Sequence, residues 1–186
     1  MKIIDNFLAE KEFATLRDVI TAPDFDWHFA PGNDSLDEEH DSPGLFTHIV
    51  HGENIPFGHS SSCFRLLFLY LLSSAQFPGR FKAGADAVRI RMNLNYRFPA
   101  SCKYMFHLDM SSDKKLDQWT TSILYINTNN GYTEFEGGEI IESVANRLVS
   151  FPANIQHRGV TQTDEQTRIL INFNYFRESN GDSLTL

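Results

Sequence analysis

The chain has 186 residues, of which 41% are hydrophobic and 22% charged, and its formal net charge is −8. These values predict one soluble globular domain, 1–186, and the acidic charge argues against a surface for extended nucleic acid. Two cysteines, Cys63 and Cys102, are too few for a disulfide framework or a cysteine zinc site. No signal peptide or membrane-spanning run is recognisable, so we expect a cytoplasmic location without membrane contact, in the host cytoplasm for a viral protein.

The N-terminal part of the chain, 1–84, is predicted to hold helices and loops. Apolar side chains recur at helical spacing over residues 9–20 and again over residues 63–76. A short apolar run before the first helix indicates a strand or turn. Residues 24–62 are rich in Gly, Pro, Asp and Ser, which predicts a long loop with one short strand at 45–51.

After Gly84 the apolar side chains recur with a period of two, which is the period of a β-strand. Turn signals rich in Gly, Asn and Asp separate the apolar stretches. Helices followed by seven or eight short strands favour a mainly β fold with N-terminal helices and a jelly-roll, cupin-like core over 85–178, rather than alternating βαβ units. The predicted strands are 86–98, 103–109, 119–127, 139–144, 147–151, 155–162 and 168–176.

The last predicted strand has two unlike faces. Its apolar face carries Ile169, Ile171, Phe173 and Tyr175, and its other face carries Arg168, Leu170, Asn172 and Asn174. If the apolar face packs on the helices, the polar face looks into the barrel. Burying arginine and asparagine is costly unless these side chains bind something polar. The strand therefore predicts a ligand site inside the barrel.

Three residues have the pattern of a metal site. On an extended strand, His107 and Asp109 share one face, about 6 to 7 Å apart along the backbone. His157 can supply a third ligand. Two histidines and one carboxylate are typical of Fe(II) sites that leave positions open for substrate and oxygen. Thiolate ligands, which would have favoured zinc, are missing from the set.

Arg168 is the candidate for binding a cosubstrate. A guanidinium can take a carboxylate in a two-pronged hydrogen bond and stays charged at any working pH. A dicarboxylate would fit between the metal and Arg168. Tyr125 could add a phenolic hydrogen bond to the same carboxylate if its strand lies beside the last one.

These motifs resemble those of the Fe(II)- and 2-oxoglutarate-dependent dioxygenases, in particular small prolyl 4-hydroxylase-like members of the phage or bacterial type. The resemblance spans about 87–176 and rests on H-L-D at 107–109, "NRLVSFPANIQHRGV" at 146–160 and R-x-x-x-N-x-N from Arg168. It implies a double-stranded β-helix, a variant of the jelly roll, with Fe(II), 2-oxoglutarate, O2 and also ascorbate as expected cofactors.

The resemblance also implies a role for individual residues. The iron ligands would be His107, Asp109 and His157, and the distal carboxylate of 2-oxoglutarate would be bound by Arg168 and Tyr125. Tyr96 corresponds to a tyrosine that lines the cosubstrate pocket. Asn174, which we place with the cosubstrate-binding residues, stands where relatives often carry a bulky aromatic. Gly137 and Gly138 match a glycine pair at which a close approach of the backbone is expected.

The chemistry that the resemblance implies is hydroxylation of a C–H bond, with release of succinate and CO2. The expected partners are 2-oxoglutarate and an unidentified substrate, which in this interpretation is a peptidyl proline or another protein residue. An oxygenase of a small metabolite or nucleobase is an alternative, and so is a non-catalytic, cupin-like metal-binding protein. Residues 24–62 and 110–118 are predicted to form the rim through which the substrate enters.

Overall fold

The computed structural model describes residues 1–31, 43–52, 88–110 and 116–176. The helix predicted at 63–76 lies outside the described residues. No helix in the described ranges is long and apolar enough to cross a membrane. The elements are β1 (Lys2–Ile4), α1 (Glu10–Ile20), β2 (His28–Ala30), β3 (Leu45–His51), β4 (Val88–Tyr96), a 3-10 helix (Leu116–Gln118), β5 (Trp119–Tyr125), β6 (Tyr132–Phe135), β7 (Ile140–Glu142), β8 (Leu148–Pro152), β9 (His157–Val160) and β10 (Thr167–Phe176).

The strands form two antiparallel sheets. Seven strands pair in the order β1-β8-β5-β10-β4-β3-β2, and three pair in the order β7-β6-β9. The segment before the 3-10 helix joins the small sheet through two isolated bridges, Lys103 to Val160 and His107 to His157. The predicted mainly β, jelly-roll fold with N-terminal helical support is confirmed.

Helix α1 covers the outer face of the large sheet. Its side chains Phe13, Leu16 and Ile20 recur at helical spacing and are buried. They belong to the same apolar cluster as the outward side chains of β10 and β4, as the alternation predicted for the last strand requires. The strand residues of this cluster include Ile90, Met92, Leu94, Ile169, Ile171, Phe173 and Tyr175.

A second apolar cluster joins the two sheets on the inside. It closes one part of the space between the sheets, and the polar inner faces of β4 and β10 border the rest. The members of the cluster are Ile123, Tyr125, Phe135, Ile141, Val149, Phe151 and Leu170. The cavity is thus polar on one side and rests on an apolar floor.

Most predicted strands are present, with three differences. Strand β6 was missed because Gly131 and the asparagines before it signal a turn, and the strand begins at the next residue. Strand β2 lies within the region predicted as loop. The stretch predicted as a strand at 103–109 touches β9 through isolated bridges and forms no regular ladder.

Asn146 joins the N-terminal segment to the jelly roll. Its backbone has a φ of 61°, which asparagine tolerates better than most residues. Its amide accepts a hydrogen bond from the Leu8 backbone N–H and donates one to the Leu8 carbonyl, both at 2.9 Å. The Phe7 N–H donates to the backbone carbonyl of Asn146. These bonds fix the chain that enters α1 against the turn before β8.

We expect Asn146→Ala to lower the free energy of unfolding by about 2 to 4 kcal/mol, because it removes two buried hydrogen bonds and strains the left-handed backbone. Asn146→Gly loses the same hydrogen bonds but accepts the backbone, so it should cost about 1 kcal/mol less. Urea unfolding followed by circular dichroism measures both. Equal losses for the two variants would show that the backbone conformation contributes nothing.

Candidate functional site

The structure brings the three predicted metal ligands together. The bridge between His107 and His157 sets their rings 4.8 Å apart, centre to centre. Their Nε2 atoms lie 3.7 and 3.8 Å from the same oxygen, Oδ1 of Asp109. All three ligand atoms lie within 4.8 Å of one another, which suits a single metal ion. Among the described residues, this is the group of His, Cys, Asp or Glu side chains with the geometry of a metal site.

Backbone carbonyls orient both imidazoles. Nδ1 of His107 lies 3.1 Å from the Met105 carbonyl, and Nδ1 of His157 lies 3.3 Å from the Ile155 carbonyl. A carbonyl can only accept a hydrogen bond, so each contact requires the proton on Nδ1. In the neutral form of each imidazole, Nε2 then carries a lone pair directed at the centre of the group. This is the tautomer that a metal-ligating histidine needs.

Asp109 is held by two residues of the large sheet. The amide of Asn174 donates to Oδ2 of Asp109 at 3.0 Å and to the Thr121 hydroxyl at 3.0 Å. Arg89 donates to the Asp109 backbone carbonyl at 3.3 Å and to the Asn174 amide oxygen at 3.1 Å. Burial alone would raise the pKa of Asp109, but the two histidines and the Asn174 amide outweigh it and hold this pKa well below its usual range. Asp109 is therefore an anion with Oδ1 directed at the histidines.

The two histidines have unlike surroundings. The side chain of His157 is 5% exposed and packs edge-on against Phe151, at 4.9 Å between ring centres. Burial lowers its pKa despite the nearby Asp109, which keeps its imidazole neutral. The side chain of His107 is 47% exposed. Burial works against its protonated form, but the hydrogen bond to Asp109 prevails and raises its pKa.

Arg168 is a buried guanidinium beside this group of ligands. The residue is 2% exposed, and its burial lowers its pKa, although arginine stays protonated. It donates from Nε to the Ser143 hydroxyl at 2.8 Å and from Nη2 to the Thr133 hydroxyl at 3.2 Å. No carboxylate of the described residues pairs with it. A buried cation whose described hydrogen-bond partners are neutral hydroxyl groups is a suitable receptor for an anionic ligand.

Gly131 makes room for Arg168. A Cβ atom added at Gly131 would lie 2.8 Å from Cδ of Arg168 and 2.8 Å from the Val160 carbonyl oxygen.

The close approach expected at Gly137 and Gly138 is not found, because a Cβ at either would meet nothing within 4 Å. Gly138 instead adopts a φ of 87°, which a turn between β6 and β7 requires.

Tyr125 lies near Arg168, as its strand position predicts, but behind the cavity wall. Strand β5 pairs with β10, with Tyr125 opposite Leu170. The fully buried phenol donates to the Thr133 hydroxyl at 2.8 Å, and Thr133 is the residue of this pair that lines the cavity. Tyr104 lines the cavity too, where it accepts a hydrogen bond from Asn95 at 2.7 Å, and burial raises its pKa to about 12.

Two residues predicted to bind the cosubstrate lie elsewhere. Tyr96 is 52% exposed and stacks edge-on with Phe46, because it shares the outward face of β4 with Leu94. Asn174 is fully buried and contacts Asp109, Thr121 and Arg89, so it lies behind a predicted metal ligand. The structure does not bring either residue to the cavity surface.

The cavity has a volume of about 350 Å³. His107, Asp109 and His157 lie on its wall together with Arg168. Its lining also includes four residues of the predicted rim segment 24–62, namely Ala30, Pro31, Pro43 and Leu45. Strand alternation does not predict that the hydroxyls of Thr133 and Ser143 bind Arg168, because these residues are distant from Arg168 in sequence and approach it only in the folded chain.

The comparisons with known proteins bear on the fold. No protein-family model and no curated protein matches the sequence. Similar solved structures include a prolyl-4-hydroxylase from Pseudomonas putida, at 18% identity over 96% of this chain and 92% of that chain, with a TM-score of 0.53. A prolyl hydroxylase from Trichoplax adhaerens, in complex with a hypoxia inducible factor peptide fragment, is 13% identical over 95% and 83% of the two chains, with a TM-score of 0.54.

A third similar structure is the non-heme alpha ketoglutarate dependent epimerase SnoN from nogalamycin biosynthesis. It is 11% identical over 94% of this chain and 76% of that chain, with a TM-score of 0.60. At such identities the likeness concerns the fold and not the reaction. The chain therefore shares its jelly-roll fold with these structures and holds inside it a His-Asp-His group that could bind a metal.

Proposed function

We propose that this protein is an Fe(II)- and 2-oxoglutarate-dependent oxygenase that hydroxylates a C–H bond. One observation carries the proposal: the same cavity holds a His-Asp-His group of ligands and a buried arginine with no described carboxylate partner. The first suits Fe(II) and the second suits the distal carboxylate of a dicarboxylate. The jelly-roll fold shared with 2-oxoglutarate-dependent enzymes supports the assignment.

The donor set fits iron. His107 and His157 offer neutral Nε2 atoms, and Asp109 offers one carboxylate oxygen, from adjacent points of a single wall. The two carbonyl contacts keep the imidazoles in the ligating tautomer. Ligands on one side leave the opposite side of the ion open. Iron and 2-oxoglutarate bound there would allow O2 to act as the oxidant, with one oxygen atom entering succinate as 2-oxoglutarate loses CO2 and the other entering the substrate hydroxyl group.

The chain's own residues orient the reactants. Arg168 would bind the distal carboxylate, while Thr133 and Ser143 hold the guanidinium in place. Tyr125 acts through Thr133, because its hydroxyl is already donated to that side chain. Asn174 and Arg89 fix the Asp109 segment. The apolar floor formed by residues such as Phe151 and Leu170 keeps water away from one side of the site.

The substrate can be proposed in two ways. The similar prolyl hydroxylase structures, one of them with a peptide, favour a peptidyl proline or another protein residue. A small metabolite is the second candidate, and the polar side chains Arg91, Asn93 and Asn172 on the cavity wall favour it. Production of succinate that depends on Fe(II), 2-oxoglutarate and substrate would separate either enzyme from a non-catalytic metal-binding protein.

We expect His107→Ala to weaken the binding of Mn(II), a substitute for Fe(II), by more than about 100-fold. Loss of a residue that only hydrogen-bonds to a ligand typically costs about 10- to 100-fold, and this variant loses a ligand itself. Fe(II)-dependent formation of succinate should be lost with it, because one of three ligands is missing. Calorimetry and a succinate assay measure the two effects. His28→Ala, at an exposed histidine of β2, is the matched control and should change neither. Unchanged Mn(II) affinity in folded His107→Ala would contradict the proposed metal site.

Arg168→Gln should weaken the binding of 2-oxoglutarate to the Mn(II)-loaded protein by about 30- to 1,000-fold, equivalent to about 2 to 4 kcal/mol, because a buried charge-assisted contact is lost. Arg168→Lys keeps the charge but not the two-pronged geometry, so its affinity should be intermediate. Calorimetric titration with 2-oxoglutarate measures this, and Mn(II) affinity serves as the control. Full 2-oxoglutarate affinity in Arg168→Gln would rule out the proposed cosubstrate site.

Asn174→Ala should reduce Mn(II) affinity by about 10- to 100-fold, the usual cost of losing a hydrogen bond to a metal ligand. Asn174→Asp should reduce it further, because the new carboxylate would replace the amide that donates to Asp109. The control is the affinity of Mn(II)-saturated Asn174→Ala for 2-oxoglutarate, which should equal that of the wild type. A large loss of 2-oxoglutarate affinity at saturating Mn(II) would instead mean that Asn174 contacts the cosubstrate.

A further inference from the structure

Arg168 is one of three guanidinium groups in the cavity. Arg89 and Arg91, on the inner face of β4, line it as well. Among the described residues on the cavity wall, the acidic one is Asp109. The described wall of the cavity is therefore positively charged, although the formal net charge of the protein is −8. Such an arrangement attracts anions.

The charges in the cavity exceed what the metal and cosubstrate need. A divalent metal and the three guanidinium groups would bring five positive charges, and Asp109 and a dicarboxylate would compensate three of them. Two positive charges would remain. Arg89 is already engaged, since it donates to the Asp109 backbone and to Asn174. Arg91 is the guanidinium without an assigned task.

Arg91 has an unsatisfied hydrogen-bonding group. Its Nε is buried and has no hydrogen-bond partner among the described residues. Burial and the nearby positive charge of Arg89 lower the pKa of Arg91, so its charge is costly where it stands. Arginine nevertheless remains protonated in proteins. An anion placed against Arg91 would remove both costs.

Two asparagines next to Arg91 have the same need. The amide oxygens of Asn93 and Asn172 are buried without a hydrogen-bond partner in the described part of the chain, and both residues line the cavity. Asn172 is only 7% exposed. It lies directly across from Arg91 in the pairing of β10 with β4, and Asn93 is the next inward residue along β4. Three buried polar atoms without a described partner thus belong to neighbouring positions of the cavity wall.

The patch is separate from the position of Arg168. Asn95, which pairs with Arg168, lies four residues from Arg91 along β4, or about 13 Å. Arg89, which contacts Asp109, is only two residues from Arg91, or about 7 Å along the strand. The Arg91–Asn172 pair therefore lies nearer the metal side of the cavity, where a substrate must be held, and Asn93 lies between this pair and Arg168.

We propose that Arg91, Asn93 and Asn172 form a substrate subsite for a compact molecule that carries an anionic group, a carboxylate or a phosphate, together with N–H or O–H donors. The guanidinium takes the anion and the two amide oxygens accept from the donors. The inference rests on the proposed function. In that function the His-Asp-His group binds the metal and Arg168 binds 2-oxoglutarate, so Arg91 is left to bind the substrate.

The test uses the full chain loaded with Mn(II) and saturating 2-oxoglutarate. Two pairs of probes are titrated by calorimetry: L-alanine against L-alaninamide for the carboxylate, and phosphoethanolamine against ethanolamine for the phosphate. We expect one anionic probe to bind and its partner without the anion to fail. The pair that responds identifies which anion the subsite takes.

Three variants connect the binding to the patch. Arg91→Gln should lower the affinity for the anionic probe at least tenfold, while its affinity for 2-oxoglutarate stays within twofold of the wild type. Asn172→Ala should weaken the probe as well. Arg158→Gln is the matched control, because Arg158 pairs with Glu134 and does not line the cavity, and it should change neither affinity. Without ligand, Arg91→Gln should melt no lower than the wild type, since its Nε has no partner to lose.

Several outcomes would overturn the inference. Failure of both anionic probes, or equal probe affinity in Arg91→Gln, would leave the subsite without support. Loss of 2-oxoglutarate affinity in Arg91→Gln would assign Arg91 to the cosubstrate. Arg91-dependent binding of a capped acidic tripeptide, with both small probes failing, would replace the compact substrate by a peptide. If the wild type does not bind 2-oxoglutarate, the proposed function is wrong, and this inference is wrong as well.

Discussion

The pairing of β10 with β4 is the constraint on which the rest of the structure depends. Nine residue pairs hold the two strands in one continuous antiparallel register. With this register, the apolar side chains of both strands face α1, and the polar side chains that line the cavity lie on the opposite face. These are Arg89, Arg91, Asn93, Asn95, Arg168 and Asn172. A shift by one residue would exchange the two faces and bury guanidinium groups under the helix. The same pairing that completes the core therefore also places the ligand-binding side chains.

Much of the fold and part of the site could be predicted from local sequence patterns. The period of two assigned Arg168 to the inner face, and the single residue between His107 and Asp109 set their common direction. The partners of Arg168 and Asp109 could not be predicted in this way, because Ser143 and Asn174 reach them through contacts distant in sequence. For Tyr96 the alternation of β4 itself indicates the outer face; the family resemblance pointed to the cavity, and the strand geometry decides otherwise.

The distribution of charge complements the chemistry. The chain as a whole is acidic, yet the described wall of the cavity carries three arginines against one aspartate. Low-dielectric walls strengthen the field inside such a cavity, so anionic reactants would concentrate there while the outer surface repels them elsewhere. The described hydrogen-bond partners of Arg168 are neutral hydroxyl groups, which preserve this field. An internal salt bridge would have cancelled it.

The two histidines differ in burial and in backbone pairing, and this difference affects how a metal would enter and leave. His157 belongs to β9 and is packed against Phe151, whereas His107 is attached to the small sheet by one isolated bridge and has a half-exposed side chain. Local opening costs least where backbone pairing and burial are least. If the site binds a metal as proposed, the ion would enter and leave on the side of the half-exposed His107, while the buried side chains of Asp109 and His157 stay in place.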